Sequence, residues 1–363
     1  MANRLKIGII GSGGIAGAHV NAYKQMDDVE IVAVADVIAG KAEEFIARHG
    51  LTGATPFQDH NKLLQQDVVG VSVCTPNIAH HRTSVDALNA GKHVLTEKPM
   101  AVTLEQAVEM AQTAKKTGKI LTIGFQPRYD PNMQMLRNII QSGQLGKIYY
   151  VETGGGRRRG MPGGTFIRKD LAGAGAMADI GCYSLDMALN SLGYPKPLSV
   201  SATTSNHFGT SPKYAGNWNP KDFEVEDFGA AFIRLEGDIV LVFKISWAMH
   251  MDTLGATFFL GTDAGVKVTP AGSGPWSGVW DGGVGSITVY HDLLGHHTES
   301  PIPTIRHNRN IFFDKVRAFV EAIKDGKSAP IPGEQIVRNQ AIIDGVLRSA
   351  ASGREVEIRI PEI

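Results

Sequence analysis

The stretch from residue 5 to residue 22 constrains the fold of this chain most, because an apolar segment, a glycine-rich turn and a helical segment follow one another directly. Residues 5–10 (LKIGII) predict a buried strand, and residues 11–16 (GSGGIA) match G-x-G-x-x-G/A where that strand would enter a helix. Without a Cβ atom, Gly11 permits a tight turn and Gly13 lets the backbone approach a phosphate. The helix that follows offers free N–H groups and its positive dipole end. The stretch therefore predicts a site for the pyrophosphate of a dinucleotide.

An acidic residue follows the second predicted strand. Residues 30–35 (EIVAVA) form that strand, and it ends at Asp36. A carboxylate at this position accepts hydrogen bonds from the adenosine ribose and repels a 2′-phosphate. Val37 and Ile38 supply no Arg or Ser that could hold that phosphate. The sequence therefore predicts NAD rather than NADP as cofactor; the alternative interpretation of Asp36 is a solvated residue of a turn.

Composition excludes several classes of function. The chain has 363 residues, 43% hydrophobic and 20% charged, which suggests two globular domains. With 36 basic and 36 acidic side chains, nucleic acid and membrane surfaces are not expected partners. No apolar run approaches ~20 residues, and residues 1–4 lead directly into the first strand without a signal peptide, so we expect a cytoplasmic protein. Cys74 and Cys182 have no metal-ligand or redox spacing, and neither a metal site nor a disulfide framework is expected.

Strands and helices alternate through the first third of the chain. Apolar strands at 68–74, 93–96 and 120–125 are separated by helices at 41–48, 79–90 and 104–117, with a short helical stretch at 57–65. This rhythm predicts an α/β fold with a doubly wound parallel sheet, whose strand ends would carry the ligand. A cofactor would lie along the loop Thr75-Pro76-Asn77. His80, in the next helix, can approach its ribose or nicotinamide, although His80 and His81 as ordinary helix-surface residues explain the sequence equally well.

Lys98 stands at the carboxyl end of the strand at residues 93–96, in the motif Glu97-Lys98-Pro99. The crevice of a doubly wound sheet binds its ligand at such strand ends, and Pro99 restricts the backbone of the residue before it. The sequence therefore predicts a functional lysine on a stiff turn. The alternative is a solvated loop lysine beside a turn proline.

The pattern changes after residue 126. A helix at 131–141 and a strand at 148–153 precede long alternating segments at 225–235, 239–247 and 257–260, which predict antiparallel strands with one face buried. Residues 269–285 are predicted to be a surface loop, followed by helices at 309–324 and 333–352 and a strand at 355–360. We expect a cofactor domain at 1–125 and a substrate and assembly domain at 126–363, with helix 333–352 able to pack back on the first domain.

The segment from Gly173 to Asp186 combines small, apolar and hydrogen-bonding residues. A helix beginning near Ala176 would place Asp179, Tyr183 and Asp186 on one polar stripe. That stripe can face a cleft, or it can be the exposed polar edge of an ordinary helix. Spacing alone does not separate the two interpretations.

Together, the motifs at 11–16, 97–99 and 173–186 resemble those of the glucose-fructose oxidoreductase and inositol dehydrogenase family (Gfo/Idh/MocA) over nearly the whole chain. The resemblance implies an N-terminal Rossmann domain and a C-terminal α/β domain with a large open, mostly antiparallel sheet. It also implies that Lys98, Asp179 and position 183 face the nicotinamide and substrate. Position 183 is Tyr here, where His is commoner in the family. Relatives form dimers or tetramers through the sheet, so a homodimer or homotetramer is expected.

The motifs and the resemblance give three sets of candidate residues. The catalytic residues are predicted to be Lys98, Asp179 and Tyr183. The substrate-binding residues are predicted to be Lys98, Arg128, Arg157, Arg158, Asp179 and Tyr183. The cofactor-binding residues are predicted to be Gly11, Ser12, Gly13, Gly14, Ile15, Asp36, Val37, Thr75, Pro76, Asn77, His80, Glu97, Lys98 and Gln126.

The resemblance implies reversible hydride transfer between a nicotinamide cofactor and a secondary hydroxyl of a sugar, glycoside or cyclitol. Residues 157–163 (RRRGMPG) and 218–227 are similar to stretches of bacterial glucoside 3-dehydrogenases, which favours C3 of a pyranoside. Arg157 and Arg158 could hydrogen-bond sugar hydroxyls, or belong to a merely solvated or subunit-contacting basic loop. Alternatives for the function are an inositol dehydrogenase, an NAD-retaining glycoside hydrolase that oxidises C3 transiently, and a non-catalytic sugar or dinucleotide sensor.

Overall fold

The structure is a computed structural model that describes residues 4–252, 254–270, 276–277 and 284–363. It contains two compact units. Unit 1 comprises Met1–Gln126, Asn310–Val337 and Pro361–Ile363, and unit 2 comprises Pro127–Arg309 and Arg338–Ile360. The helix Gly333–Ser352 contributes residues to both units. The domain boundary after residue 125 and the packing of this helix on the first domain stay predictions.

Sixteen strands and eleven α-helices are numbered here in chain order within the described residues. The strands are β1 Leu5–Ile10, β2 Val29–Ala35, β3 Thr55–Phe57, β4 Gly70–Val73, β5 His93–Thr96, β6 Leu121–Ile123, β7 Ile148–Arg157, β8 Pro197–Ser205, β9 Phe228–Leu235, β10 Ile239–Ser246, β11 Thr257–Gly261, β12 Ala264–Pro270, β13 Trp276–Ser277, β14 Val284–Leu293, β15 His296–Ile302 and β16 Val356–Glu357. The helices are α1 Gly14–Tyr23, α2 Lys41–His49, α3 His60–Leu64, α4 Asn77–Asn89, α5 Leu104–Thr117, α6 Pro131–Gln141, α7 Lys169–Ala172, α8 Ala176–Asp179, α9 Gly181–Ser191, α10 Ile311–Asp325 and α11 Gly333–Ser352.

Unit 1 is built on a six-stranded sheet in the order β3-β2-β1-β4-β5-β6. Every described strand pair in it is parallel, which confirms the predicted doubly wound sheet. The chain changes direction across the sheet between β1 and β4, so the carboxyl ends of these two strands form the crevice where such sheets bind ligands. The core is apolar and includes Ile7, Ile9, Val20, Phe45 and Phe319. Phe319 belongs to α10, which packs against α1.

Unit 2 contains a ten-stranded sheet in the order β15-β14-β12-β11-β7-β10-β9-β8-β16, with β13 paired to β7 beside this path. Among the described pairs, β7 and β10 run parallel and the others run antiparallel. Val151, Leu241 and Phe243 are fully buried on one face, where α8 and α9 contact β7, β9 and β10. The mostly antiparallel second sheet therefore agrees with the expected architecture.

Helices with clear end signals lie where the sequence places them. The structure confirms α5, α6 and α11 at the predicted residues. Thr103 caps α5 by accepting a hydrogen bond from the Gln106 amide, and Asp130 caps α6 by accepting from the amides of Asn132 and Met133. Within the described residues, no helix has the length and apolar character required to cross a lipid bilayer.

Two predictions of local structure are wrong, and several strands were missed. Residues 57–65 are not one helical stretch, because β3 ends at Phe57 and Asp59 caps the short α3. Strands β8, β12, β14 and β15 were not expected. The surface loop predicted at 269–285 fails where it is described, since Pro270 lies in β12, β13 pairs with β7, and β14 begins at Val284. Residues 271–275 and 278–283 of that prediction lie outside the described residues.

Candidate active site

The glycine turn between β1 and α1 has the geometry that a pyrophosphate requires. Gly11 has φ +90°, and a Cβ atom there would lie 2.7 Å from the backbone carbonyl of Cys74. A Cβ on Gly13 or Gly14 would meet no atom within 4 Å, so the backbone at the start of α1 borders open space. No side chain caps this helix end. The turn therefore leaves both the space and the N–H groups that a dinucleotide phosphate uses.

Asp36 is oriented by the same turn. Its Oδ2 atom accepts hydrogen bonds from Ser12 Oγ at 2.6 Å and from the Ser12 amide at 3.0 Å, while Oδ1 accepts from the Ile38 amide at 3.0 Å. Burial opposes ionisation, but these hydrogen bonds outweigh it and lower the pKa of Asp36. The carboxylate is therefore charged at neutral pH. Val37, next to it, is 76% exposed.

A cavity in unit 1 connects these residues with the end of β4. Its lining includes Gly11, Asp36, Val37, His60, Thr75 and Pro76. Asn77 begins α4 directly after Pro76, whose carbonyl accepts from the Ala79 amide at 2.9 Å. Seven of the predicted cofactor-binding residues are thus either in this cavity wall or next to it in the turn: Gly11, Ser12, Asp36, Val37, Thr75, Pro76 and Asn77. Ile15 lies in the first turn of α1.

Lys98 follows β5 and is partly exposed, whereas Glu97 and Pro99 on either side of it are buried. The Lys98–Pro99 peptide bond is cis. Glu97 is 4% exposed and its carboxylate points into a buried polar cluster of unit 1. The lysine therefore projects from a segment whose two flanking residues are anchored in the interior.

His80 links two of the loops at the strand ends. It is 1% exposed, with Nδ1 2.7 Å from the Pro99 carbonyl oxygen and Nε2 2.9 Å from the Thr75 carbonyl oxygen. Burial lowers the pKa of His80, so the neutral ring donates its one N–H to one of these two carbonyl oxygens at a time. His80 thus lies between the loop at residues 75–77 and the segment after Lys98. His81 lies toward the surface, 2.8 Å from Glu109. Gln126, buried at the end of unit 1, begins a short 3₁₀ turn.

In unit 2, the predicted helix with a continuous polar stripe is in fact two helices. α8 ends at Asp179 and α9 begins at Gly181, with Ile180 between them. Glu226 anchors the start of α8. Its Oε1 atom accepts hydrogen bonds from the amides of Gly175 and Met177 at 2.8 and 2.9 Å. Burial raises the pKa of Glu226. Asp179 and Tyr183 therefore belong to different helices.

Asp179 is held by an indole. Trp247 Nε1–H donates to Asp179 Oδ2 at 2.9 Å, and Trp247 itself is fully buried after β10. The Asp179 charge also acts on Arg157 at the end of β7: burial lowers the pKa of Arg157, and Asp179 partly offsets this. Arg157 additionally donates to the Gly160 carbonyl at 2.8 Å. The structure thus brings Asp179 and Arg157 into one electrostatic environment.

The remaining candidates of unit 2 have different surroundings. Tyr183 is 6% exposed on α9. Arg158 is exposed, and its carbonyl accepts from the Met249 amide at 3.2 Å. The third hydrogen-bonding residue of the predicted stripe, Asp186, is not on a cleft: it accepts from Arg128 at 2.7 Å and from the Tyr194 hydroxyl. The Arg128 side chain, 10% exposed, is engaged in this pair, and its predicted role in substrate binding stays a prediction.

Sequence reasoning missed Trp247 and Glu226. Trp247 ended a predicted strand, and an indole N–H at a strand end was the available signal. Glu226 stood in an acidic run, where nothing local distinguishes a buried carboxylate from a solvated one. Among the described residues, no cluster of three or more His, Cys, Asp or Glu side chains could hold a metal ion.

Known proteins resemble the chain across both units. The profile of the GFO/IDH/MocA oxidoreductase family, NAD-binding Rossmann fold, matches residues 5–125, and that of the GFO/IDH/MocA C-terminal domain matches residues 133–267. A D-glucoside 3-dehydrogenase of Escherichia coli (strain K12) is 37% identical over 276 residues, covering 74% of this chain and 78% of the relative. A glucose-6-phosphate 3-dehydrogenase of Bacillus subtilis (strain 168) is 33% identical over 50% of this chain and 52% of its own length.

Solved structures show the same fold. The aldose-aldose oxidoreductase from Caulobacter crescentus, complexed with glycerol, superposes with a TM-score of 0.78 at 24% identity, covering 98% of this chain and 100% of the other. With the glycine turn, Asp36 and the Glu97-Lys98-Pro99 segment in place, these matches establish the family. The chain belongs to the GFO/IDH/MocA family of oxidoreductases, whose first domain is an NAD-binding Rossmann fold.

Proposed function

We propose that this protein is an NAD-dependent dehydrogenase that interconverts a secondary hydroxyl and a ketone on a sugar, glycoside or cyclitol, with C3 of a pyranoside as the favoured position. The observation that carries the proposal is the 37% identity to a D-glucoside 3-dehydrogenase across 74% of the chain. The second relative is also named for oxidation at position 3. This agrees with the similarity of residues 157–163 and 218–227 to glucoside 3-dehydrogenases.

The residues of unit 1 fit the cofactor. The open backbone at Gly13 and Gly14 would hold the pyrophosphate, and the charged Asp36 would accept hydrogen bonds from the adenosine ribose. When bound, NAD supplies the carbon that takes up the hydride. The protein must position the sugar carbinol and manage its hydroxyl proton.

Tyr183 is our first choice for the group that takes this proton. An ordinary phenol has a pKa of about 10 and is therefore a poor base at pH 7. The proposal needs a positive charge close to the phenol to favour its ionised form, and Lys98 would supply that charge. Lys98 would also stabilise the developing alkoxide, and Asp179, oriented by Trp247, would hold a second hydroxyl or the lysine. In the alternative assignment, Lys98 takes the proton and Tyr183 contributes only a hydrogen bond.

A substrate screen tests the function. The protein is incubated with NAD and a panel of glucosides, free sugars and inositols, NADH is followed by absorbance, and the oxidised carbon is located by NMR. We expect NADH to form in proportion to 3-keto-glucoside. Release of the aglycone without accumulation of NADH would identify the NAD-retaining hydrolase instead. Binding without turnover of any compound would identify a sensor, and oxidation of inositols alone would identify an inositol dehydrogenase.

We further propose that the protein assembles as a homodimer or homotetramer through the second sheet. The face opposite α8 and α9 carries Phe232, Val242, Glu152 and Phe258 in direct register across four strands. Phe232 is 40% exposed. Lys244 donates to Glu152 at 2.6 Å on the same face, so the surface combines apolar side chains with a neutralised charge pair. Such composition suits a buried contact between identical subunits.

We propose a cytoplasmic location. Cys74 and Cys182 are both buried free thiols, as is usual for proteins of a reducing compartment. Fractionation of cells that produce the protein tests this, and recovery in an extracytoplasmic fraction would contradict it.

A further inference from the structure

Unit 1 contains a buried polar cluster that the proposed chemistry does not use. Its charged members are Glu97, 4% exposed, and Lys315, 2% exposed, and they are joined by His19 and Ser72, both 0% exposed. Lys315 Nζ donates to Glu97 Oε1, and His19 Nε2 lies 2.7 Å from the same oxygen. Lys315 belongs to α10, so the positive charge comes from a segment far along the chain.

The hydrogen bonds of the cluster have one consistent direction. Burial and the Lys315 charge lower the pKa of His19, so the imidazole is neutral. Its Nε2–H then donates to Glu97, and its Nδ1 accepts from Ser72 Oγ at 3.1 Å. The Tyr23 hydroxyl completes the series by donating to Ser72 Oγ at 2.9 Å. The series therefore runs from Tyr23 through Ser72 and His19 to the Glu97 carboxylate.

Glu97 is ionised in this setting. Burial alone would raise its pKa, but the Lys315 ammonium and the His19 hydrogen bond outweigh burial and lower it. Cys74, whose thiol pKa is raised by burial and by Glu97, adds no charge. The cluster therefore holds one cation and one anion. Their attraction offsets the cost of removing each charge from water.

The surroundings leave Glu97 little freedom to move. A Cβ atom on Gly124 would lie 2.8 Å from Glu97 Oε1, so the glycine leaves open the space that this carboxylate occupies. The Glu97 amide donates to the Val73 carbonyl at 3.1 Å. On the other side of Lys98, the Pro99 carbonyl oxygen lies 2.7 Å from His80 Nδ1. Lys98 thus projects from a backbone that is fixed at the residue before it and at the residue after it.

We propose that Lys315 is a positioning residue of the dehydrogenase: by holding the Glu97 carboxylate, it fixes the backbone from which Lys98 projects. The proposal rests on the function proposed above for Lys98. A displacement of a catalytic group by about 1 Å lowers the rate by up to about 100-fold, so a lysine on a strand end benefits from such an anchor. No contact between Lys315 and substrate is needed.

Two variants and one control separate positioning from general stability. K315M removes the ammonium group and leaves Glu97 buried without it. E97Q/K315M removes both charges, so the net charge at this place is unchanged and no unpaired charge is left in the interior. K324M is the matched control, because Lys324 lies on the same helix but donates to Asp28.

Lys98 can be observed without any substrate. The rate at which acetic anhydride acylates Lys98 is measured against pH by peptide mass spectrometry, alongside NADH affinity by fluorescence titration and the folded fraction by circular dichroism. With the best sugar of the screen, kcat and KM are measured per folded enzyme. If K315M does not fold, E97Q/K315M gives the answer in its place.

We expect the pH profile of Lys98 acylation to shift in K315M and in E97Q/K315M, and kcat to fall about tenfold while KM and NADH affinity change less than about twofold. K315R, which keeps the charge, should recover part of the loss, and K324M should match the unmodified protein. An unchanged acylation profile with unchanged kcat in both variants would overturn the proposal. If the unmodified protein oxidises no sugar, the proposed function fails, but the acylation profile still decides the role of Lys315.

Discussion

At the scale of single residues, we propose that Asp36 governs the choice of cofactor. Its carboxylate is charged and already oriented by Ser12, with no cationic residue at positions 37 or 38. D36A should weaken NAD binding by about 1–3 kcal/mol, because charge-assisted hydrogen bonds to the ribose are lost, and should relax discrimination against NADP. Titration of both cofactors measures this. S12A is the control, since it removes a hydrogen-bond donor to Asp36 but keeps the negative charge that repels a 2′-phosphate. If the unmodified protein binds NADP as tightly as NAD, the assignment is refuted.

Tyr183 and Lys98 are the residues to test for proton transfer. Y183F and K98A should each lower kcat by about 100-fold or more while NAD still binds, because each removes a group that we propose to act in the transition state. The double variant should lose far less than the product of the single losses if the two act together. Y290F, a tyrosine variant on the partly exposed strand β14, should leave kcat unchanged. Near-normal turnover by Y183F would remove Tyr183 from the chemistry and leave the proton to Lys98.

At the scale of secondary-structure elements, Asp186 ties α9 to the 3₁₀ turn at residues 126–129. Arg128 donates to both carboxylate oxygens, from Nε at 2.9 Å and from Nη2 at 2.7 Å, and the Tyr194 hydroxyl donates as well. D186N should lower the free energy of unfolding by about 3–5 kcal/mol, because it leaves the Arg128 charge buried without an anion. Urea unfolding measures the loss. D238N, which breaks the exposed pair with Lys147, should show no measurable loss, and equal effects of the two variants would contradict the argument.

The sequence predicts those elements whose signals are local. A Thr caps the start of α5 and an Asp caps the start of α6, so the residue that fixes where each helix begins is next to it in the sequence. Strands β14 and β15 contain polar side chains such as the half-exposed His291 and the exposed Glu299, and β14 takes its place in the sheet by pairing with β12. The start of α8 is likewise held by Glu226, which lies far from α8 in sequence.

In the candidate site, too, the features with local signals could be predicted and those that depend on distant residues could not. The glycine turn and Asp36 could be predicted, since the motif is contiguous and its partner lies one strand further along the chain. Lys315 could not be assigned, because its partner Glu97 is 218 residues away. The only local signal was that Lys315 lies on the same helical face as Phe312 and Phe319. This signal does not identify a buried lysine, because lysines on apolar faces can also extend to solvent.

At the scale of the whole molecule, buried titratable groups predict a loss of stability in acid. In the folded protein, the pKa of His19 is lowered from 6.5 and that of Glu97 from 4.5. As the pH falls from 7 to 4, these two groups therefore bind more protons in the unfolded chain than in the folded chain. The free energy of unfolding should therefore decrease over this interval. Glu226 acts oppositely, because its pKa is raised in the folded state and protonation favours folding.

Urea unfolding at several pH values checks both signs. E226Q keeps an oxygen that can accept from Gly175 and Met177 but removes the opposing titration, so its stability should fall more steeply with acid than that of the unmodified protein. A shallower fall in E226Q would show that its carboxyl group is not the one that resists acid.

Assembly belongs to this scale as well. Light scattering at micromolar concentration should give the mass of a dimer or tetramer, because the open sheet face carries apolar side chains that solvent alone would not stabilise. F232D places a charge at that face and should shift the mass toward the monomer, whereas L294D, at the 92% exposed tip of the β14–β15 turn, should not. A monomeric mass for the unmodified protein would refute the proposed interface.

The cluster around Glu97 also bears on how the chain matures during translation. Strands β1–β6 leave the ribosome long before α10, which brings the ammonium group of Lys315 and the ring of Phe319 that closes on Gly70. Until α10 has been synthesised, the nascent nucleotide-binding unit lacks the cation that compensates Glu97 and the ring that covers Gly70, so its core stays incomplete. The unit whose strands are made first therefore waits for a helix that is made after most of the chain.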